Sequence, residues 1–426
     1  MIDFIVQFFD YVFHKSLGFI FYYPLLMAYV WMIGGIFYYL RFERQDNKFF
    51  DDGLVPDLSA YPGVTLIVPC HNEEHNVRET VDALLRQNYP YIEIIAVNDC
   101  SKDRTGIILD EMAKEYPQLR VIHLAENQGK AIGLTMAAMV TTNEFLVCVD
   151  GDAILDRNAV RWFMRHFIAG PRMGAITGNP RIRNRSTWLG CIQVGEFSSI
   201  IGLIKRAQRV YGRLFTVSGV IAAFRKTALH DVGYWSPEAM TDDIDVSWKL
   251  QLNHWDIRFE PKALCWILMP ETIGGLWKQR LRWAVGAAEV LLKFFGQMFQ
   301  WRKRRMWGIY LEYFVSVFWA YLIIFNIVVW ILNLTGLLPK AITVPSLVPG
   351  LYGVLLGITC LIQVLVSLFL DRRYDKGLLS IYIWMIWYPF FYWILNMATI
   401  VIAVPKVLFG RRRHRATWVS PDRGVR

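Results

Sequence analysis

The chain has 426 residues, 54% of them hydrophobic and 15% aromatic, and carries a formal net charge of +10. Its mean hydropathy of +0.29 excludes a wholly soluble protein of ordinary composition, so part of it belongs in lipid, while the rest is long enough for one catalytic domain. The excess positive charge sits in short clusters beside apolar segments (residues 302–305 and 411–415), with no basic helix or aromatic-lined sheet motif, which points to an anionic membrane surface and away from nucleic acid.

Residues 1–13 are aromatic and apolar but short, and are expected to lie in the membrane interface. Residues 19–40 form an apolar run of spanning length. It has no basic n-region and no small-residue cleavage site, so it reads as an anchor and not a cleaved signal. Arg41 and Arg44 follow at once and place its C-terminal end in the cytoplasm.

From about residue 54 to 262 the chain reads as an α/β domain. Apolar, β-rich runs at 64–68, 92–97, 121–124 and 145–149 alternate with helical periodicity at 77–86, 105–116 and 130–141. That alternation predicts a parallel sheet with helices on both faces. Ligands in such sheets bind beyond the carboxyl ends of the strands, where Asp99 and Asp150 stand.

Residues 277–295 are amphipathic. Trp277, Leu281, Ala284, Ala288, Leu291 and Phe295 fall on one helical face, and Lys278, Arg282, Glu289 and Lys293 on another. The pattern is that of an interfacial helix, with packing on the soluble domain as the alternative. Apolar segments at 309–332, 351–370 and 381–404 follow. Three full spans would carry the basic tail out of the cytoplasm, against the positive-inside tendency, and Pro389 and Pro405 mark the last segment. A broken or re-entrant course is expected there. The six cysteines form no CxxC pair and lie mostly in strand-like stretches, so they read as reduced thiols, not as a disulfide framework or zinc site.

Four acidic or polar constellations carry chemistry. Asp99 follows a buried strand, where a carboxylate can meet a base edge; a turn or helix cap is the structural alternative. Asp150-Gly151-Asp152 places two carboxylates at a strand end, able to share one hard divalent ion, Mg²⁺ or Mn²⁺, with a diphosphate; a hairpin turn is the alternative. Thr241-Asp242-Asp243-Ile244-Asp245 sets acids at a helix start, where the helix dipole alone would favour them, or where one could take a proton from a sugar hydroxyl. Gln279, Arg282 and Trp283 occupy i, i+3 and i+4 of the amphipathic helix. Arg282 could grip a diphosphate and Trp283 could underlie a pyranose ring; an interfacial aromatic belt is the alternative.

The order of these motifs, with spanning segments after them, resembles the processive branch of glycosyltransferase family 2. The stretches 176–183, 202–206, 217–220, 264–272, 275–280 and 418–424 look like those of poly-β-1,6-N-acetylglucosamine synthases, and the likeness runs from about residue 19 to 424. The resemblance implies a GT-A-type catalytic domain attached to interfacial and transmembrane helices in a bacterial inner membrane. It implies UDP-N-acetylglucosamine as donor, a growing glycan as acceptor, a small membrane accessory subunit, and regulation by cyclic di-GMP at a site shared with that subunit. Carried over residue by residue, Asp99 would contact uracil, with Asn72 and Glu73 lining the nucleotide pocket. Lys130 would lie near the diphosphate. Asp150 and Asp152 would form the metal motif, Asp152 as the direct ligand. Asp243 would be the base and Asp242 its neighbour at the acceptor. Gln279, Arg282 and Trp283 would hold the diphosphate and acceptor end. Where the family has Thr-Glu-Asp, this chain has Thr241-Asp242-Asp243, and its N-terminus reads as one span where some relatives have two.

The expected division is 1–45 interfacial segment and anchor, 54–262 cytoplasmic catalytic domain, 263–305 interfacial helices, 306–410 transmembrane region and 411–426 basic cytoplasmic tail. Another β-glycan synthase, a non-processive lipid-carrier glycosyltransferase, and a transporter or scaffold with a dead nucleotide domain are the competing readings.

Overall fold

The computed structural model describes residues 2–46, 50–51, 53–336 and 350–410; the basic tail and the 418–424 stretch lie outside the described residues. The first element is a helix, α1 (Ile2–Tyr38), so the segment expected in the interface continues directly into the anchor. A π-turn, Tyr39–Glu43, ends it.

The chain then alternates as β1 (Val64–Cys70), α2 (Val77–Leu85), β2 (Ile92–Asp99), α3 (Thr105–Glu115), β3 (Leu119–Leu124), α4 (Lys130–Val140) and β4 (Phe145–Val149). It continues through β5 (Ile154–Leu155), α5 (Ala159–Ala169), β6 (Met173–Ile182), α6 (Trp188–Phe197), α7 (Ile204–Tyr211), β7 (Ile221–Arg225), α8 (Lys226–Asp231), α9 (Asp242–Leu252) and β8 (Asp256–Ile267). The long α10 (Ile273–Phe294) leads to α11 (Trp307–Leu334), α12 (Leu351–Asp371) and α13 (Tyr388–Phe409).

The strands form one eight-stranded sheet in the order β3-β2-β1-β4-β7-β6-β8-β5. The predicted parallel sheet holds for β3, β2, β1 and β4. The other half is mixed: β7 runs antiparallel to both β4 and β6, and β5 antiparallel to β8. Successive strand residues serve two cores. Leu66, Ile94 and Val147 face α2 and α5 with Trp162 and Phe163, while Ile67, Ile95, Val97 and Leu146 face Leu134 of α4 and Val246 of α9. Both faces are covered, which is why these strands are apolar throughout instead of alternating.

The first core runs on without a break into Cys360, Val364 and Leu368 of α12 and Tyr388, Tyr392 and Leu395 of α13. Charge also crosses this boundary. Arg206 of α7 is fully buried between Glu43 (2.8 Å), below the anchor, and Asp371 (2.7 Å), at the end of α12. Asp371 also pairs with buried Arg181 of β6 at 2.8 Å, which reaches Asp375, itself paired with Arg185 at 2.5 Å. Three arginines and three carboxylates thus lie together where the sheet meets the helices.

Among the described residues four helical stretches are long and apolar enough to cross a membrane: Lys15–Asp46, Trp301–Leu334, Leu351–Asp371 and Phe391–Phe409. The last expected segment is divided between a 3-10 stretch and a helix, yet the helix still supplies one of the four span-length stretches, so a re-entrant course that would return the tail to the side of the anchor's end is not seen. A 3-10 stretch, Leu378–Trp387, precedes α13, and Pro389 sits in the helix's first turn, where its missing N–H costs nothing. No disulfide joins the six cysteines.

Helix α10 lies against α9 and α13, and its buried stripe is rotated from the one expected. Leu276, Arg280, Ala287, Ala288, Val290, Leu291 and Phe294 face the protein; of the expected face Ala288 and Leu291 are buried, Trp277, Leu281 and Ala284 half-buried, and Phe295 exposed. Two contacts set this rotation. Lys293 Nζ pairs with Asp245 of α9 at 2.7 Å, and a Cβ on Gly286 would lie 2.7 Å from Thr241 Cβ, so only glycine lets the two helices approach this closely.

Candidate functional site

β1 hydrogen-bonds to β2 on one side and β4 on the other, so the turns after their carboxyl ends share one crevice. After β1 the chain passes through Asn72 at φ +57°, a left-handed conformation that Asn tolerates better than most residues. Asn72 Oδ1 accepts the Lys102 N–H at 2.9 Å and its own N–H donates to Ser101 Oγ at 3.0 Å, stitching the β1 and β2 turns together. Glu73 is buried, and its N–H donates to Thr105 Oγ1 at 2.7 Å. Asp99 is also buried, and its carboxylate accepts the N–H groups of Gln128 at 2.6 Å and Gly129 at 2.8 Å. It therefore fixes the entry to α4, whose first residue is Lys130.

Asp150-Gly151-Asp152 follows β4. Thr80 Oγ1 donates to Gly151 O at 3.0 Å, and a Cβ on Gly151 would sit 3.1 Å from Glu73 Cγ and 3.2 Å from Pro69 O. Glycine is what lets this turn press against the end of β1. Lys130 Nζ is ion-paired to Asp150 Oδ1 and donates to Gly219 O at 2.8 Å. Burial pulls the Lys130 pKa down, but Asp150, Asp242 and Asp243 outweigh it and hold the ammonium firmly charged. Among the described residues no three His, Cys, Asp or Glu side chains gather around one metal position.

Helix α9 opens with Asp242, Asp243 and Asp245. Asp245 is committed to structure, bound by Lys293 and by Ser236 Oγ at 2.5 Å. Asp243 faces the crevice. Its Oδ2 accepts the Gly219 N–H at 3.1 Å, and its Oδ1 accepts the Ile244 N–H at 2.9 Å. Withdrawal from water and the adjacent Asp242 carboxylate push Asp243 up to about 6, against the pull of Lys130 and Arg282. A carboxylate so poised can accept a proton near neutral pH. The Gly219 peptide joins the two clusters: its oxygen holds Lys130 beside Asp150, and its N–H holds Asp243.

Of the α10 motif, Arg282 is exposed and close enough to act on the Asp243 charge, while Gln279 and Trp283 are half-buried. Gln279 Nε2 lies 3.7 Å from Met269 Sδ, and its Oε1 has no hydrogen-bond partner among the described residues. The sequence reading passed over Arg280, which lies off the i, i+3, i+4 face. It is buried, pairs with Glu196 of α6 at 2.5 Å, and sets its guanidinium 4.3 Å from the Trp283 ring centroid and 5.7 Å from that of Tyr392. Glu196 lies 84 positions away in sequence, so no local pattern marks the pair.

Residues 62–286 match the family model described as "Glycosyltransferase like family 2". The chain belongs to this family. It is 39% identical over 408 residues to a poly-β-1,6-N-acetyl-D-glucosamine synthase of Staphylococcus epidermidis, covering 96% of this chain and 98% of that one. It is 37% identical over 409 residues, with the same coverage, to a synthase of that name from Staphylococcus aureus strain COL. Among solved structures, a mannosyltransferase from Pyrobaculum calidifontis in complex with GDP-Man and Mn²⁺ superposes with a TM-score of 0.59 at 18% identity, over 95% of this chain and 99% of that one. That likeness establishes a shared glycosyltransferase fold. Its relatives imply a nucleotide-sugar donor and a glycan acceptor.

Proposed function

We propose that this glycosyltransferase is a processive synthase that transfers N-acetylglucosamine from UDP-N-acetylglucosamine to the end of a growing poly-β-1,6-N-acetylglucosamine chain and passes the polymer into the membrane. The choice of sugar and linkage rests on the near-full-length likeness to synthases of that name. The mechanism rests on one observation, the Gly219 peptide that holds Lys130 and Asp150 on one side and Asp243 on the other.

In this reading Asp99, Asn72 and Glu73 shape the nucleotide end. Lys130 and Arg282 lay positive charge along the diphosphate, and Trp283, with Asp242 beside the base, receives the acceptor sugar. Asp243 takes the proton of the acceptor hydroxyl as its oxygen attacks the anomeric carbon. The bond from that carbon to the diphosphate breaks, UDP leaves, and the configuration inverts. The residues at β4 would hold a divalent ion: with Asp150 already paired to Lys130, Asp152 would be the protein ligand, and oxygens of the donor phosphates would complete the set. Mg²⁺ or Mn²⁺ bound there supplies charge neutralisation for the leaving diphosphate.

The catalytic domain is assigned to the cytoplasmic side, since Arg41 and Arg44 after the anchor and Arg302, Lys303, Arg304 and Arg305 before α11 flank it. The small membrane subunit and cyclic di-GMP regulation belong to this proposal through family likeness.

The test supplies radiolabelled UDP-N-acetylglucosamine to the full chain in lipid. Label should enter a polymer degraded by a β-1,6-N-acetylglucosaminidase. Product cleared only by hyaluronidase, chitinase or cellulase would replace this reading with that of another β-glycan synthase.

Two further outcomes follow from the site. Chelation should cut turnover by on the order of 10²-fold or more, reversed by Mn²⁺ or Mg²⁺ in the parent chain but not in Asp152→Ala; full activity after exhaustive chelation would refute the metal. Because the Asp243 pKa is raised and the base works deprotonated, activity should be complete above about pH 7 and fall as pH drops through about 6. A kcat–pH profile flat down to pH 5 would place the base elsewhere.

A further inference from the structure

The turn carrying Gly219 is held from below by a residue to which the proposed reaction gives no part. Lys205 of α7 is 5% exposed, and its Nζ donates to Ser218 Oγ at 2.8 Å and Thr177 Oγ1 at 3.1 Å. Thr177 Oγ1 in turn accepts the Ser218 N–H at 2.8 Å. Among the described residues no carboxylate lies within ion-pairing distance of this ammonium. A buried lysine bonded only to hydroxyls is costly to keep, and a methionine of similar shape would fill the space more cheaply. Burial draws its pKa down to about 7, and the opposing influence is Asp243.

The geometry extends from there to the crevice. Ser218 and Gly219 are consecutive, and the Gly219 N–H is the donor to Asp243 Oδ2. The preceding Val217 N–H donates to Ser247 Oγ, whose own hydrogen goes to Asp243 O at 2.6 Å, so the turn is fastened to α9 twice. The neighbouring Arg206 is locked between Glu43 and Asp371, which fixes α7 and with it the point from which Lys205 reaches up.

We propose that Lys205 is a positioning residue for the acceptor-activating carboxylate. It pins the Ser218-Gly219 turn so that the Gly219 N–H meets Asp243, and in its protonated form it places a positive charge behind that carboxylate. The inference rests on the reading of Asp243 as base. The charged groups facing Asp243 are Asp242 on its own helix, Lys130 from α4, Arg282 from α10 and Lys205 from α7.

The experiment compares the full chain in lipid with Lys205→Met and Ser218→Ala, measuring kcat, donor KM, the kcat–pH profile and thermal unfolding. Lys205→Met should lower kcat by about tenfold to 10²-fold with little change in donor KM. Its acid limb should move up by about half a pH unit or more, because a positive charge that favoured the ionised base is gone. A folded Lys205→Met with parental kcat and an unmoved limb would overturn the proposal. If that variant does not fold, Ser218→Ala decides. It keeps the charge but cuts the tether, so kcat should fall at unchanged donor KM, and parental kcat would overturn the proposal. Asp243→Asn separates the two ideas. If it retains activity, the reading of the base has failed; if it is inactive while Lys205→Met is normal, only the role of Lys205 has failed.

Discussion

Asp243→Asn is expected to remove nearly all polymer synthesis while leaving folding and donor binding unchanged. The substitution is close to isosteric, and the amide oxygen can still accept the Gly219 N–H that the carboxylate accepts at 3.1 Å. What is lost is the capacity to take a proton, together with the acceptor for the Ile244 N–H in the first turn of α9. A sugar hydroxyl is a poor nucleophile until that proton is removed in the transition state, and general-base catalysis typically contributes about 10²–10⁴-fold. Initial rates should fall by that order, while calorimetric affinity for UDP-N-acetylglucosamine and the thermal midpoint stay near parental values. Parental rates in this variant would move the base to Asp242, the adjacent carboxylate that helps to raise the Asp243 pKa.

The second large effect concerns structure. Arg206→Met should yield little folded protein. The side chain is fully buried, and removing it takes the only ion-pair partner of buried Glu43 among the described residues and leaves Asp371 with Arg181 alone. Breaking a buried pair from one side costs about 3–5 kcal/mol, against a total stability of about 5–15 kcal/mol for a typical domain. The measurement is the yield of monodisperse protein and its unfolding temperature in detergent. The double variant Arg206→Met with Glu43→Gln removes one stranded charge as well and should recover part of the loss. A single variant as stable as the parent would mean that water or rearrangement satisfies both carboxylates.

The first half of the catalytic domain is legible in the sequence because each strand there is a short apolar run closed by a polar turn. The runs at 92–97 and 145–149 coincide with β2 and β4 to within two residues. The longest strands are the ones left unread. β6 contains Gly174, Gly178 and Pro180, and β8 contains Pro261, residues that weigh against a central strand. They pair nevertheless, through register shifts at Met173/Ala175 and Thr177/Asn179 that absorb the irregular positions. Asp99, Asp150 and Asp243 are legible as candidates in the sequence because they stand at ends of elements, where a carboxylate is free to serve a turn or a ligand. Lys205 and Arg280 look like ordinary charges on amphipathic helices. Their meaning comes from Ser218, Thr177 and Glu196, brought to them only by the fold. The rotation of α10 has the same origin, since the contact of Gly286 with Thr241 is not encoded in the helix's own periodicity.

The six charges gathered where the sheet meets the helices, five of them buried, also set a distance. Glu43 belongs to the end of the anchor, Asp371 to the end of α12, and Arg181 to the same strand as Thr177. Tilting the sheet against the membrane would have to separate several of these pairs at once, in surroundings with no water to replace them. The floor of the crevice is therefore tied to the ends of these helices, and rocking the sheet against them would break buried ion pairs at every stroke.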